Sequence, residues 1–578
     1  MKRCPQCNRV ESDETLKFCR IDGIALVSDS SSIDQEAGTA KLGSGSVSRE
    51  IETSILPHTT DASMGRTRAS STLSLAAEIP NDTLKLSKAR RFRVPIATAL
   101  AIVVIASVVG GYSYFSRSRN EVIDSIAVLP FVNQNHDPDT EYLSDGLSES
   151  LIYRLSQLPS LRVSPTSSVF RYKGKEIDPI KVGNELGVSA VLSGRITQRG
   201  ENLTISVELV DVRNGKSLWG EHYDRKSSEL LATQREIARE IVDNLQLKVS
   251  GQERALTKHY TENNEAYQFY LKGRFYWNTR SAAGFKKASE QFQNAVDKDP
   301  SFALAYVGLA DCYVVMEQYA GVSSSESLPQ ARAAVLRALQ IDDALAEAHA
   351  TLGLINEHLW HVADAEKEYK RAIELNPNYP TVHHWYALLL FLTGRLDDGM
   401  AEIKRAQQLD PLSAVITANV GNHYFARGDL NAAIEEYKKA IELNPNFGLA
   451  HSFLGLTYLK QGREQEARSE LQKAVEATGR ASQELGALGY GYGVMDKRAE
   501  AMAVLRELEE KYAKRESPGL YLAEVYAGLG GKDQAFAWLE KDFQARSSLL
   551  MYIDIFPLER LRADPRYTDL LRRIGLRP

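Results

Sequence analysis

Residues 377–410, PNYPTVHHWYALLLFLTGRLDDGMAEIKRAQQLD, and residues 411–444, PLSAVITANVGNHYFARGDLNAAIEEYKKAIELN, are two copies of one 34-residue unit, and a third opens at Pro445. Ten residues past each proline stand Ala387, Gly421 and Gly455, small where two packed helices must approach closely. Seventeen past stand Gly394, Gly428 and Gly462, which suit the turn between the two helices because glycine accepts left-handed backbone angles. Twenty-nine past, Ala406, Ala440 and Ala474 are small again on the second helix, and five past, Val382, Ile416 and Ala450 are apolar. The register runs backward through Asp343 (Ala348, Gly353, Ala372) and Pro300 (Ala305, Ala310), and forward through Ala513 (Ala523, Gly530). Pro300 and Asp343 are 43 residues apart, which predicts an inserted loop of about nine residues around Gln318 to Ser327.

Eight units are expected from about Ala266 to Arg546, with an end cap over 547–578. In period and residue pattern this half of the chain resembles the tetratricopeptide family. A helical pair cannot bury its apolar face alone, so neighbours stack into a superhelix with a concave inner surface. The resemblance implies an all-α solenoid that binds a protein or peptide in that groove without chemistry of its own. A solenoid serving as spacer or dimerisation surface is the competing expectation. By register alone, the candidate peptide-binding residues on the first helices are Tyr306, His349, His383, Tyr424 and His451.

Length allows three or four domains, and a composition of 25% charged and 43% hydrophobic residues is ordinary for folded protein. A formal net charge of -5 supplies no broad electrostatic reason to expect nucleic acid as partner. Residues 94–115, VPIATALAIVVIASVVGGYSYF, carry no charge over 22 positions, long enough as a helix to cross a hydrocarbon layer of about 30 Å. A single transmembrane helix is expected. Lys85, Lys88, Arg90, Arg91 and Arg93 precede it and only Arg117 and Arg119 follow closely, which predicts a cytoplasmic N-terminus. The chain is therefore expected in a bacterial inner (cytoplasmic) membrane, with everything after residue 120 periplasmic. Ala106 and Gly110 would let two such helices meet in a homo-oligomer.

Cys4 and Cys7 form C-P-Q-C, and Cys19 follows in F-C-R-I-D-G. Two such knuckles can present four ligands to a tetrahedral metal, with Asp22 standing where a fourth cysteine is usual. This segment resembles short bacterial zinc-ribbon heads, and structural zinc on Cys4, Cys7, Cys19 and Asp22 is the expectation; a cysteine-bearing tail without metal is the alternative. A unit this small would draw its folding energy from the metal. A reducing cytoplasm keeps these thiols available, while the outer portion holds only Cys312, with no disulfide partner. Between Val27 and Leu84 there is no aromatic residue and much Ser, Thr, Gly and Ala, the composition of a flexible linker.

Residues 124–250 alternate strand and helix: a strand in SIAVLPF, a helix from Ser144 to Leu158, a strand in LRVS, a helix near Pro179 to Leu186, three strands and a final helix from about Ser228. Turns at 199–202 and 213–215 predict two hairpins. The stretches IAVLPF (126–131), YLSDGL (142–147), ELGV (185–188), LWGEHYDR (218–225) and EIAREIV (236–242) are similar to a TolB-like amino-terminal domain. That resemblance implies a non-catalytic, partner-binding extracytoplasmic domain, with Asp145, Gly146 and Trp219 as turn and core residues.

The fold class expected is thus multidomain: zinc ribbon (1–27), flexible linker (28–93), transmembrane helix (94–115), TolB-like α/β domain (121–250), solenoid (266–546) and cap (547–578). No catalytic set appears. NGKS at 214–217 lacks the first glycine of a phosphate loop, Val210 standing in its place, and GALGYGYG at 486–493 falls where a repeat helix is expected. His358 with His361, and His383 with His384, lack further ligands at metal spacing. The function expected is a non-enzymatic adaptor or sensor. The rivals are a membrane-tethered regulator whose ribbon touches DNA or a cytosolic partner, and an enzyme with an unrecognised site in the α/β domain.

Overall fold

The computed structural model describes Lys2–Arg3, Val10–Glu11, Val27–Ser28 and residues 123–576, apart from 136, 138, 139, 176, 246–257, 259, 280 and 321. Cys4, Cys7, Cys19, Asp22, the linker and the apolar stretch 94–115 lie outside the described residues. Among the described residues no helix is long and apolar enough to cross a membrane. Three short strands, β1 (Lys2–Arg3), β2 (Val10–Glu11) and β3 (Val27–Ser28), pair antiparallel in the order β2-β1-β3.

A second sheet follows, built from β4 (Ser125–Val128), β5 (Val132–Asn133), β6 (Arg162–Val163), β7 (Ala190–Arg199), β8 (Asn202–Asp211) and β9 (Ser217–Lys226). Its order is β6-β4-β7-β8-β9, with β5 also on β7. The first strands are parallel, so helices must cross between them: α1 (Glu141–Ser156), the single turn α2 (Thr166–Val169) and α3 (Pro179–Leu186). β4 is buried at every position, as a central parallel strand should be. The last three strands form the two expected hairpins, and α4 (Leu230–Asn244) lays its stripe of Leu230, Ile237, Ala238 and Ile241 into the core. Helix α1 starts at Glu141, one turn before the sequence expectation.

Sixteen helices then form eight pairs: α5 (Asn264–Trp277) with α6 (Ala282–Lys298), α7 (Ala303–Ala320) with α8 (Ser324–Ile341), α9 (Ala346–His358) with α10 (Val362–Leu375), α11 (Pro380–Leu392) with α12 (Leu396–Leu409), α13 (Ala414–Ala426) with α14 (Leu430–Leu443), α15 (Gly448–Lys460) with α16 (Glu464–Ala477), α17 (Ser482–Val494) with α18 (Arg498–Ala513), and α19 (Gly519–Gly528) with α20 (Lys532–Gln544). The chain ends in two 3-10 turns and α21 (Pro565–Arg573).

The small residues at the tenth position work as sockets. A Cβ on Gly353 would sit 2.6 Å from the Tyr369 ring, and one on Gly421 2.5 Å from the Tyr437 ring. In these two pairs the tyrosine ring of the second helix fills the space the glycine leaves, and at Gly455 the Leu471 side chain does so. The turn positions 394, 428, 462 and 530 are glycines with φ of 78, 83, 76 and 80°. Trp360 and Asp496 occupy the same register position and also have positive φ, 66 and 58°. A bulky residue there costs about 1–2 kcal/mol.

The expected inserted loop is mostly helix. Helix α7 continues to Ala320 and α8 begins at Ser324, so the extra residues lengthen both helices to 18 residues against the 13 or 14 of the following pairs.

The sheet domain and the early pairs share one apolar core, in which Leu147, Leu151 and Leu155 of α1 lie with Ala266 and Leu271 of α5. Gly146 is the seam, since a Cβ there would lie 2.9 Å from the Leu271 side chain. Around it the Ser150 and Tyr267 hydroxyls bond at 2.6 Å, Gln157 and Tyr153 donate to Glu347 on α9, and Ser167 donates to Asp410 at 2.6 Å.

Candidate functional site

Consecutive first helices touch one another, α5 with α7, α7 with α9, α9 with α11, and again from α13 through α19, while each second helix meets chiefly its chain neighbours. The first helices therefore line the inner side of the stack. Their composition agrees: α9 buries nine residues around its whole circumference, whereas α10 buries only Ala365, Tyr369 and Ala372.

On this layer the sequence-predicted histidines have a structural use. His349 Nδ1 meets Glu368 at 2.6 Å and its Nε2 donates to the Asp343 carbonyl at 3.0 Å. His383 repeats this with Glu402 at 2.5 Å and the Pro377 carbonyl, and His451 with Glu470 at 2.6 Å and the Pro445 carbonyl. Each imidazole ties the loop before its pair to the second helix, and neither nitrogen is left for a ligand. Carboxylate and carbonyl both only accept, so at His349 and His451 the protonated ring satisfies both partners. For His349 burial works to lower the pKa and the Glu368 bond outweighs it; for His451 the Glu470 bond raises it directly. Stability from the His349 and His451 clamps is fully present below the ordinary histidine pKa and is lost as pH rises through the raised folded value. Thr417 stands at the same register position, with its hydroxyl unbonded. Replacing His451 by Thr should cost about 1–2 kcal/mol at pH 6 and less at pH 8.5, read from urea midpoints.

Tyr306 is half-buried against the large core, and Tyr424 lies half-buried beneath Lys404, whose ammonium is 5.4 Å from the ring centroid. The residues that form a cavity are others. Phe391 of α11, Phe425 of α13, and Phe453 and Leu456 of α15 line a space of about 220 Å³, together with Ile555 and Phe556 from beyond the eighth pair. Phe391 and Phe425 are 34 residues apart, an inner-face repeat that the register could have shown. Lys460 and Arg562 stand at the cavity with Glu559.

The other motifs resolve into packing. GALGYGYG lies within α17, whose glycines allow it to press against α19. NGKS is the β8–β9 turn, where Asp211 takes the Arg213 N–H and guanidinium. His384 accepts from Asn419 at 3.0 Å, and burial lowers its pKa to about 4. Cys312 is buried on α7, and burial pushes its thiol up. Burial also raises Asp145 to about 6, with Lys173 at 2.5 Å opposing. Among the described residues no group of three His, Cys, Asp or Glu side chains could hold a metal ion.

Family models place this geometry. Residues 346–379 and 450–479 match the tetratricopeptide repeat, and 421–462 match the TPR repeat. The helical half is a tetratricopeptide solenoid, with a small sheet domain before it. Residues 122–240 match the HilA/YgeH-like transcriptional regulator, second domain. The chain is 32% identical over 245 residues to a protein of Rhizobium meliloti named "Putative adenylate cyclase 3", covering 42% of each. It is 24% identical over 277 residues to the transcriptional regulator HilA of Salmonella typhimurium, 47% of this chain and 48% of that one. The chain thus spans less than half the length of the curated relatives it matches. A solved structure of Pseudomonas aeruginosa pilF is similar at 21% identity and a TM-score of 0.31, over 37% of this chain and 93% of that chain.

Proposed function

We propose that this chain is a non-catalytic adaptor or sensor that docks a polypeptide on the first-helix face of its solenoid. The observation that carries the reading is the apolar cavity shared by three successive first helices, with Lys460 and Arg562 beside it. Tetratricopeptide repeats support a protein-binding role, and one apolar core joins the sheet domain to the early helical pairs of this receiving unit. In this reading residues 94–115 tether the unit to a bacterial cytoplasmic membrane with the receiving part outside, and zinc on Cys4, Cys7, Cys19 and Asp22 folds the inner head. In-cell cross-linking and purification should recover a discrete set of polypeptides that is lost in Phe425→Glu and kept in Glu435→Lys on the outer helix α14. Equal recovery from both variants would refute the docking face. Purified chain supplied with ATP should form no cyclic AMP.

A second reading is favoured by the match of 122–240 to the second domain of a transcriptional regulator. Here the receiving unit controls a cytoplasmic output through the ribbon, which contacts DNA or a cytosolic protein. A gel shift with residues 1–90 at moderate salt separates the two, because specific retardation would favour the regulator.

A further inference from the structure

Residues 547–562, SSLLMYIDIFPLERLR, follow the eighth pair and do not act as a simple end cap. They run across the first-helix layer. The Ser547 hydroxyl donates to Glu317 of α7 at 3.3 Å, the Ser548 hydroxyl donates to the same carboxylate, and the Ser548 N–H donates to Ser324 at 3.3 Å. The lengthened second pair therefore reaches out to receive this segment. Tyr552 bonds His358 of α9 through its hydroxyl at 3.1 Å. Ile555 and Phe556 line one cavity with side chains of α11, α13 and α15. The Tyr490 hydroxyl of α17 donates to Glu559 at 3.3 Å, and Arg560 donates to the Gly528 carbonyl of α19 at 2.7 Å. Seven of the eight first helices thus meet one segment, and α1 covers the eighth, α5.

Trp360 anchors the return. Its ring stacks on Phe543 at 5.3 Å and lies beneath the Arg546 guanidinium at 4.9 Å. A tryptophan at a left-handed turn where four other units place glycine is strained, and that strain persists because the ring holds the returning chain. The junction is also incompletely bonded: the buried Trp360 Nε1 and His358 Nδ1 have no hydrogen-bond partner. Water would satisfy both on opening, so the junction is weaker than its area implies.

We propose that residues 547–562 are a built-in occupant of the docking face, set on their course by the Trp360 contacts to Phe543 and Arg546 just before them, and that a partner polypeptide gains this face by displacing them. The inference rests on the docking reading above. The displacing segment has the chemistry of what it replaces: paired hydroxyl residues for Glu317, an aromatic residue for His358, and a bulky apolar residue before proline for the cavity.

Trp360→Gly tests this, because glycine relieves the turn while removing the anchor. The probe is a fluorescein-labelled peptide of residues 547–562, followed by anisotropy with the full chain in detergent. Trp360→Gly should bind it at least tenfold more tightly than the unaltered chain, and adding Phe425→Glu should abolish the gain. Tyr552→Ala, which leaves every repeat untouched, should behave like Trp360→Gly. Equally tight binding by the unaltered chain would overturn the gating while sparing the docking face. Absence of binding by both folded variants would overturn the docking face itself.

Discussion

Replacing Arg274 by Met should lower the stability of the whole receiving unit by about 3 kcal/mol. Arg274 Nε donates to Glu149 at 2.7 Å, its Nη2 donates to the same oxygen, and Asn278 donates to the second oxygen at 3.2 Å. Glu149 is 9% exposed, so the substitution strands a carboxylate in the joint between sheet domain and solenoid. The nearby Glu149 carboxylate holds the guanidinium charged despite its desolvation. Removing both charges together, as Arg274→Met with Glu149→Leu, should cost clearly less than the two single losses added, because no buried charge is left unpaired. Urea midpoints of the three variants against the parent measure this. Simple addition of the losses would mean that the joint is held by packing alone.

Gly528→Ala is expected to be comparably severe, at about 3 kcal/mol or more. A Cβ on Gly528 would sit 2.5 Å from the Tyr490 carbonyl oxygen and 2.8 Å from its Cα. Those are backbone atoms on α17, so no side chain can turn aside and the two helices must separate. Gly428→Ala is the control: nothing lies within 4 Å of its would-be Cβ, and only the positive φ opposes it. It should cost about 1 kcal/mol. Equal losses at the two positions would contradict the packing described for α17 and α19.

The repeat was legible because its physics is local. Glycine at 394, 428 and 462 and a small residue ten past each unit start follow from one turn and one socket, and both recur every 34 residues. The sheet domain was legible for a similar reason, since the strand of Ile126 to Val128 and the turn at Gly215 read from neighbours in sequence. What register alone could not show was the content of the inner face. His349, His383 and His451 recur on the first helices as groove residues would, yet each is engaged by a glutamate nineteen residues on. The cavity wall includes Phe556, far beyond α15 in the chain, and sequence distance hides that contact. One signal was present: Trp360 stands where the register demands glycine. For a residue as bulky as tryptophan, that departure pointed to a contact made outside its own repeat, here with Phe543 and Arg546.

Hydrogen–deuterium exchange of the full chain, followed by peptide mass spectrometry, reports most directly on whether residues 547–562 lie along the first-helix face. Slow exchange over Ile553 to Leu561 in the unaltered chain, accelerated by Trp360→Gly together with exchange in α11 and α13 but not in α4, is the predicted result. Rapid exchange of 547–562 in the unaltered chain, with α11 and α13 still protected, would contradict it.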